Sequence, residues 1–219
     1  MLAVQHAILS EERLQKYAED DYKKWFPVTP VEDVDVLYRA IAYLKPRTFL
    51  EIGTNRGWTT AFLADAFPDM LIDTVDFPQE LSFLYSWSPH LLQGGGEFRK
   101  PDIGLHCKGK TNVRQLYGDS RLIKTYPVSA EYEGGFIDGS HRTEDVISDT
   151  LVFLSKRAST SKWFVVWHDA HFENVGTALR VISSSMYVQL IAGTSCAFGS
   201  PNPQCGYEVF GDDALLLTP

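Results

Sequence analysis

The stretch Thr48-Phe49-Leu50-Glu51-Ile52-Gly53-Thr54-Asn55-Arg56-Gly57 constrains this chain more than any other, because it runs without a break into Trp58-Thr59-Thr60-Ala61-Phe62-Leu63-Ala64. Apolar strand residues end beside a carboxylate, two glycines make the turn, and a helix-like segment follows with its N-terminus open. That sequence of parts suits a small nucleoside-like ligand, which approaches the backbone at glycine and the amides at the helix start. A dinucleotide fits poorly. The pyrophosphate fingerprint requires three glycines as G-x-G-x-x-G, whereas only Gly53 and Gly57 are present and Glu51 stands where it would repel phosphate. An acid in this place suits a cationic ligand; the same residues also read as a tight strand-to-helix turn with an exposed Glu51.

With 219 residues, 44% of them hydrophobic and 22% charged, the chain is sized for a single domain spanning 1–219 with a substantial core. No apolar run approaches the ~20 residues of a membrane span, and the first residues lack a basic segment, so neither a membrane span nor a secretory signal is expected and a cytoplasmic location is the default. Cys107, Cys196 and Cys205 cannot all pair and form no C-x-x-C, which argues against a disulfide framework or a zinc finger. A net charge of −8 disfavours general nucleic-acid binding. Between 98 and 124 the balance reverses locally, with Arg99, Lys100, Lys108, Lys110, Arg114, Arg121 and Lys124 against Asp102 and Asp119. This is either a face for an anionic substrate or partner, or a solvated surface.

Strand and helix patterns alternate along the chain. Helices are expected over Ser10–Trp25 and Val31–Leu44, the second placing Val34, Leu37, Tyr38, Ile41 and Leu44 on one face before Pro46 stops it. Residues 69–76 form a second strand ending in Asp76, which is placed to accept ribose hydroxyls or to act as a turn aspartate before Pro78. Residues 78–111 carry Phe83, Tyr85, Trp87 and Gly94-Gly95-Gly96 and read as a long insertion, a candidate cover for a substrate. A third strand, 112–117, leads to Gly118-Asp119-Ser120. Two further strands end in Asp138-Gly139-Ser140-His141 and in Trp167-His168-Asp169, each followed by a helical pattern. A closing hairpin is expected from strands near Val188–Ala192 and Gly206–Phe210. The fold expected is α/β: a Rossmann-like doubly wound sheet of about seven strands, mostly parallel, with helices on both faces.

The acid followed by Gly53-Thr54-Asn55-Arg56-Gly57 resembles the first motif of class I S-adenosylmethionine-dependent methyltransferases. Phe136-Ile137-Asp138-Gly139-Ser140-His141, with Glu144 and Asp149 beyond it, and Val165-Val166-Trp167-His168-Asp169 resemble the small O-methyltransferases of the methyltransferase domain 24 group. The resemblance spans about Thr48 to Phe210. It implies an antiparallel last strand and S-adenosylmethionine contacts from Glu51, Gly53, Thr54, Gly57, Thr59, Asp76, Asp119, Ser120 and Asp138. Within that set Glu51 lies near the cationic methionine end, Thr59 near its carboxylate and Asp119 beside adenine. By analogy, residues 1–45 form an N-terminal helical extension that serves as a lid or a homo-oligomer surface.

Asp138, His168 and Asp169 offer two oxygens and a nitrogen to a divalent cation such as Mg²⁺ or Mn²⁺. In the metal-dependent catechol-type relatives an Asp-Asn pair ends the fifth strand. Here Ala170 follows Asp169, so His168 or His171 must supply the third ligand, or the metal is absent. His141 stands where those enzymes carry a lysine base. The expected activity is O-methylation of a small hydroxylated metabolite such as a sugar, polyketide or phenol, with His141 as base and Asp138 beside it. The alternatives are a metal-independent methyltransferase using His141, and a non-catalytic S-adenosylmethionine-binding module. A helix cap or a partner to Asp138 is the structural role open to His141.

Overall fold

The computed structural model of the protein describes residues 29–78, 102–159 and 162–217. The helix expected over Ser10–Trp25 and most of the 78–111 insertion, with its aromatics, Arg99 and Lys100, lie outside the described residues.

In chain order the elements are α1 (Val31–Leu44), β1 (Thr48–Ile52), α2 (Trp58–Ala66), β2 (Leu71–Asp76), β3 (Val113–Tyr117), a 3₁₀ segment (Ser120–Thr125) and β4 (Gly134–Ile137). They continue with α3 (Thr143–Lys156), β5 (Phe164–Trp167), α4 (Glu173–Ile182), β6 (Tyr187–Ile191), β7 (Ala197–Ser200), α5 (Pro203–Phe210) and β8 (Ala214–Leu216). Lys45, in the left-handed region at φ 51°, closes α1 by donating its amide to Ile41 O, and Pro46 prevents continuation.

The strands form one sheet in the order β3-β2-β1-β4-β5-β7-β6-β8. β3, β2, β1, β4 and β5 pair in parallel, while every pairing of β7 and β8 is antiparallel. Strand order reverses between β1 and β4. In an open parallel sheet that switch point leaves a crevice beyond the strands' C-terminal ends.

Alternation along the central strands builds a core on each face. Phe49, Ile72, Phe136, Phe164 and Val166 face α1, α2 and α5, while Leu50, Val75, Ile137, Val165 and Trp167 face α3 and α4. The Trp167 ring is wholly buried, and its indole N–H donates to Thr150 Oγ1 at 2.9 Å, so the polar edge of the ring is satisfied inside the core.

The C-terminal region departs from expectation. Gly206–Phe210 is helical, not a strand: Asn202 caps the Gln204 amide at 3.0 Å, Pro203 occupies the first turn, and Gly206, Val209 and Phe210 are buried at helical spacing. The antiparallel strand within this region is β7, hidden in a segment whose glycine and serines read as a loop. Gly199 is there because a Cβ would lie 2.4 Å from the Trp167 ring. With β8 the sheet has eight strands rather than seven.

Candidate functional site

β1 delivers Glu51 into the interior, where it is 1% exposed. Thr60 and Thr74 both donate hydroxyl hydrogen bonds to its Oε2. Thr54 Oγ1 lies 2.6 Å from Thr74 Oγ1, and Gln115 Nε2 donates to Thr54 at 3.1 Å. Since Thr74 spends its proton on Glu51, Thr54 donates to Thr74, and the chain runs in one direction from Gln115 to Glu51. Burial lifts the Glu51 carboxyl to about 8; the threonine hydroxyls only partly offset this, and the charges of Asp138 and Asp76 add to it. Glu51 and Thr54 are thereby placed beneath the turn as its support.

The glycines of the turn are demanded by protein packing. Gly53 has φ 103°, and a Cβ on it would sit 2.1 Å from Asp138 O; on Gly57, at φ 79°, a Cβ would sit 2.8 Å from Cys107 Sγ and 2.9 Å from Gly104 Cα. The chain after β4 and the described end of the insertion close on the turn from two sides. Backbone hydrogen bonds of 2.9 Å from Gly104 N to Asn55 O and from His106 N to Arg56 O fix the second contact, and His106 stacks on Trp58. Thr59, in the first turn of α2, lies 3.1 Å from Thr29 through the two hydroxyls.

Asp76 ends β2 with both oxygens engaged: Oδ2 accepts from Asn55 N at 2.6 Å and Oδ1 from Phe77 N at 2.7 Å. Each oxygen keeps a second lone pair, so the group still has acceptor capacity for a diol. Burial raises its pKa despite those two amides. Asp119 caps the 3₁₀ segment, accepting from Arg121 N at 2.9 Å and pairing with the Arg121 guanidinium at 2.6 Å. Ser120 donates to Asp149 at 2.5 Å, and burial lifts Asp149 to about 7. This bond ties the Gly118-Asp119-Ser120 turn to α3. Arg114 and Lys110, two of the local cations, pair with Asp73 and Asp65.

The densest constellation lies at the ends of β4 and β5, beside the switch point. Asp138 follows β4, its amide donating to Ile52 O at 2.8 Å, and His168 follows β5, its amide donating to Ile137 O at 3.1 Å. Asp169 adopts φ 55°, a left-handed conformation that aspartate tolerates better than most residues. Its Oδ2 lies 2.8 Å from His141 Nε2 and 3.1 Å from His168 Nδ1. His168 Nδ1 is also 3.1 Å from Asp138 Oδ1. It is buried and has no aligned hydrogen-bond partner among the described residues, so both contacts are charge contacts at poor angles. Among the described residues, Asp138, His141 and Asp169 have ligand atoms within 4.8 Å of one another and could hold a metal ion. His168 meets the same two carboxylates from the buried side, and the His171 ring packs at a tilt against Phe172 instead.

Electrostatics follow from this crowding. Burial works against a charged His168, but Asp138, Asp169 and Asp33 outweigh it and raise the imidazole to about 12. The bond to Asp169 raises His141. Burial also works against an ionised Asp169, yet the two histidines hold it well below the usual carboxylate range. Burial raises Asp138 in spite of His168.

Asp33 is the member that sequence reasoning missed. It comes from α1, is 1% exposed, and lies 3.0 Å from His168 Nε2 through Oδ2, while Oδ1 accepts from Ser195 N at 2.7 Å. The available signal was an acid four residues before Leu37, on the helix face that enters the core.

No protein-family model and no curated protein sequence matches the chain. Solved structures do resemble it. The O-methyltransferase TomG from Streptomyces achromogenes, crystallised with S-adenosylmethionine, aligns over 89% of this chain and 91% of its own, with 18% identity and a TM-score of 0.58. An O-methyltransferase from Bacillus cereus, crystallised with S-adenosylhomocysteine, aligns over 89% and 93%, with 12% identity and a TM-score of 0.59. The chain thus carries the Rossmann-like fold of these S-adenosylmethionine-dependent methyltransferases, the fold its motifs resemble.

Proposed function

We propose that the protein is an S-adenosylmethionine-dependent methyltransferase acting on a hydroxyl of a small metabolite, assisted by a divalent cation at the ends of β4 and β5. One observation carries this reading: His168 Nδ1 is buried, has no aligned hydrogen-bond partner among the described residues, and lies 3.1 Å from each of Asp138 Oδ1 and Asp169 Oδ2. Two hard oxygens and an imidazole nitrogen meeting at a crevice form a donor set that suits Mg²⁺ or Mn²⁺. The solved structures of the same fold include one O-methyltransferase holding the cofactor and one holding its demethylated product.

Each residue then has a distinct task. Asp76 offers its remaining lone pairs to the ribose hydroxyls, the Asp119-Ser120 turn faces the adenine, and the first turn of α2 with Thr59 receives the methionine carboxylate. Asp138, His168 and Asp169 hold the cation. When bound, S-adenosylmethionine supplies an electrophilic methyl group, and the cation lowers the pKa of a nearby hydroxyl. His141, whose side chain is 40% exposed, accepts the acceptor's proton, and Asp169 holds its ring in place.

A second reading has its own support. The raised pKa of His168 gives the three surrounding carboxylates a cation built from the protein itself, so transfer with His141 as base could proceed without a metal. Transfer of labelled methyl from S-adenosylmethionine to a panel of phenols, sugars and polyketide alcohols, with and without EDTA, separates the two. Activity removed by EDTA and restored by Mg²⁺ or Mn²⁺ supports the first, and activity indifferent to EDTA supports the second. Cofactor binding without transfer to any acceptor would instead indicate a binding module.

A further inference from the structure

We propose that Phe172 is a specificity-determining residue, the wall against which the acceptor lies while its hydroxyl faces His141, and that it selects acceptors built on a flat unsaturated ring. This choice of acceptor rests on the O-methyltransferase reading above.

Neither helix capping nor core packing accounts for a phenylalanine at this position. Phe172 is the cap residue before α4, where Ser, Thr, Asp and Asn stabilise a helix by accepting from its first amides; the phenyl side chain makes no such bond. Nor does it belong to the core, since it is 43% exposed, while Val175, Ala178, Leu179 and Ile182 form the buried face of the helix it precedes. A large apolar side chain left in water at a position suited to a small polar one conflicts with local preference, and such conflicts gather at functional sites.

The surroundings of the ring indicate its task. Its backbone is pinned, with the Phe172 amide donating to Asp169 O at 2.9 Å and the Phe172 carbonyl accepting from Gly176 N at 2.8 Å. The ring lies edge-to-face against His141, with centroids 5.2 Å apart, and at a tilt against His171 at 4.3 Å. A hydroxyl in hydrogen-bond contact with His141 thus brings the framework behind it beside the exposed part of the Phe172 ring. A phenyl group offers no conventional hydrogen-bond donor or acceptor, so a sugar would bury hydroxyls against it without partners. An aromatic acceptor instead gains from ring–ring packing beyond the area it buries.

The test compares catechol with cis-cyclohexane-1,2-diol, two vicinal diols on six-membered rings that differ in unsaturation, by calorimetric titration into the full-length protein saturated with S-adenosylhomocysteine and Mg²⁺. The preference for catechol over the saturated diol is expected to fall about 2–10-fold in Phe172→Ala and in Phe172→Leu, which keeps apolar bulk without a ring, and to be retained in Phe172→Tyr. S-adenosylhomocysteine affinity is expected to be unchanged in all three. An equal loss for both diols, or a preference unaltered in the Ala and Leu variants, overturns the proposal, as does a wild type that binds neither diol. Should Phe172→Ala fail to fold, the Leu and Tyr variants still decide. A preference that depends on Phe172 in a protein that transfers methyl to no acceptor would defeat the methyltransferase reading while leaving the ring selection established. Methyl transfer with the same preference in every variant would do the reverse.

Discussion

His141 Nε2 lies 2.8 Å from Asp169 Oδ2, joining the turn after β4 to the end of β5. The bond holds a half-buried imidazole beside an anchor that sits among the more deeply buried charges. General-base catalysis is worth about 10²–10⁴-fold in rate. His141→Ala is therefore expected to lower kcat by that factor and to leave S-adenosylhomocysteine affinity, measured by calorimetry, within about twofold. Unchanged turnover would mean that another group takes the proton.

Glu51 makes the fold sensitive to alkaline conditions. Its carboxyl is raised from 4.5 to about 8, so the folded state holds a proton that the unfolded chain releases. The stability tied to that proton is fully present below about pH 4.5, declines as pH rises and is lost above about pH 8. Glu51→Gln removes this dependence. Urea unfolding at pH 5 and pH 8.5 should show wild type losing stability relative to the variant by about 4 kcal/mol, at about 1.4 kcal/mol per pKa unit, since part of the loss is already complete at pH 5. Parallel behaviour of the two proteins would show that Glu51 is ionised in the fold.

Asp73 acts in the opposite pH range. Burial disfavours its charge, but Arg114, the Ser129 amide and the Tyr132 hydroxyl, at 2.6, 2.8 and 2.7 Å, together hold its pKa below the usual value. Its contribution is present above the unfolded carboxylate pKa and is lost as pH falls through the depressed folded one. Arg114 is partly solvated, so Asp73→Asn should cost about 3 kcal/mol at pH 7, the lower end for a broken buried pair. The difference from wild type should shrink below about pH 3. Chemical denaturation at the two pH values checks both expectations.

Gly53→Ala tests the contact between the two turns. The new Cβ would lie 2.1 Å from Asp138 O at a φ of 103°, and neither backbone can yield without moving the other. A loss of about 3 kcal/mol is expected from strain and overpacking together. Affinities for S-adenosylhomocysteine and Mn²⁺ should both fall, because the turn and Asp138 shift as one. A variant of wild-type stability and affinity would show that the turns separate readily.

Strand ends were the legible part of the sequence. Gly53, Asp76, Asp138 and Asp169 each follow an apolar run, and parallel topology brings such ends to one edge whatever the details of packing. Asp33 was not legible as a site residue, since a single acid in an amphipathic helix resembles a solvated position until the opposing surface is known. The inward turn of Glu51 was equally hidden: its partners Thr60 and Thr74 come from two other elements, α2 and β2. β7 and α5 were misread because their small residues are set by neighbours, Gly199 by Trp167 and Gly206 by Gln189. Local pattern carries no record of such contacts.

A divalent cation held by Asp138, His168 and Asp169 beside the cofactor would be visible in crystals. Anomalous diffraction from crystals grown with S-adenosylhomocysteine and Mn²⁺ tests it most directly. The expected result is a manganese peak at about 2.0–2.3 Å from one oxygen of each aspartate and from His168 Nδ1, adjacent to the cofactor sulfur. Bound S-adenosylhomocysteine with no manganese at that position, and His168 still wedged between the two carboxylates, would contradict it.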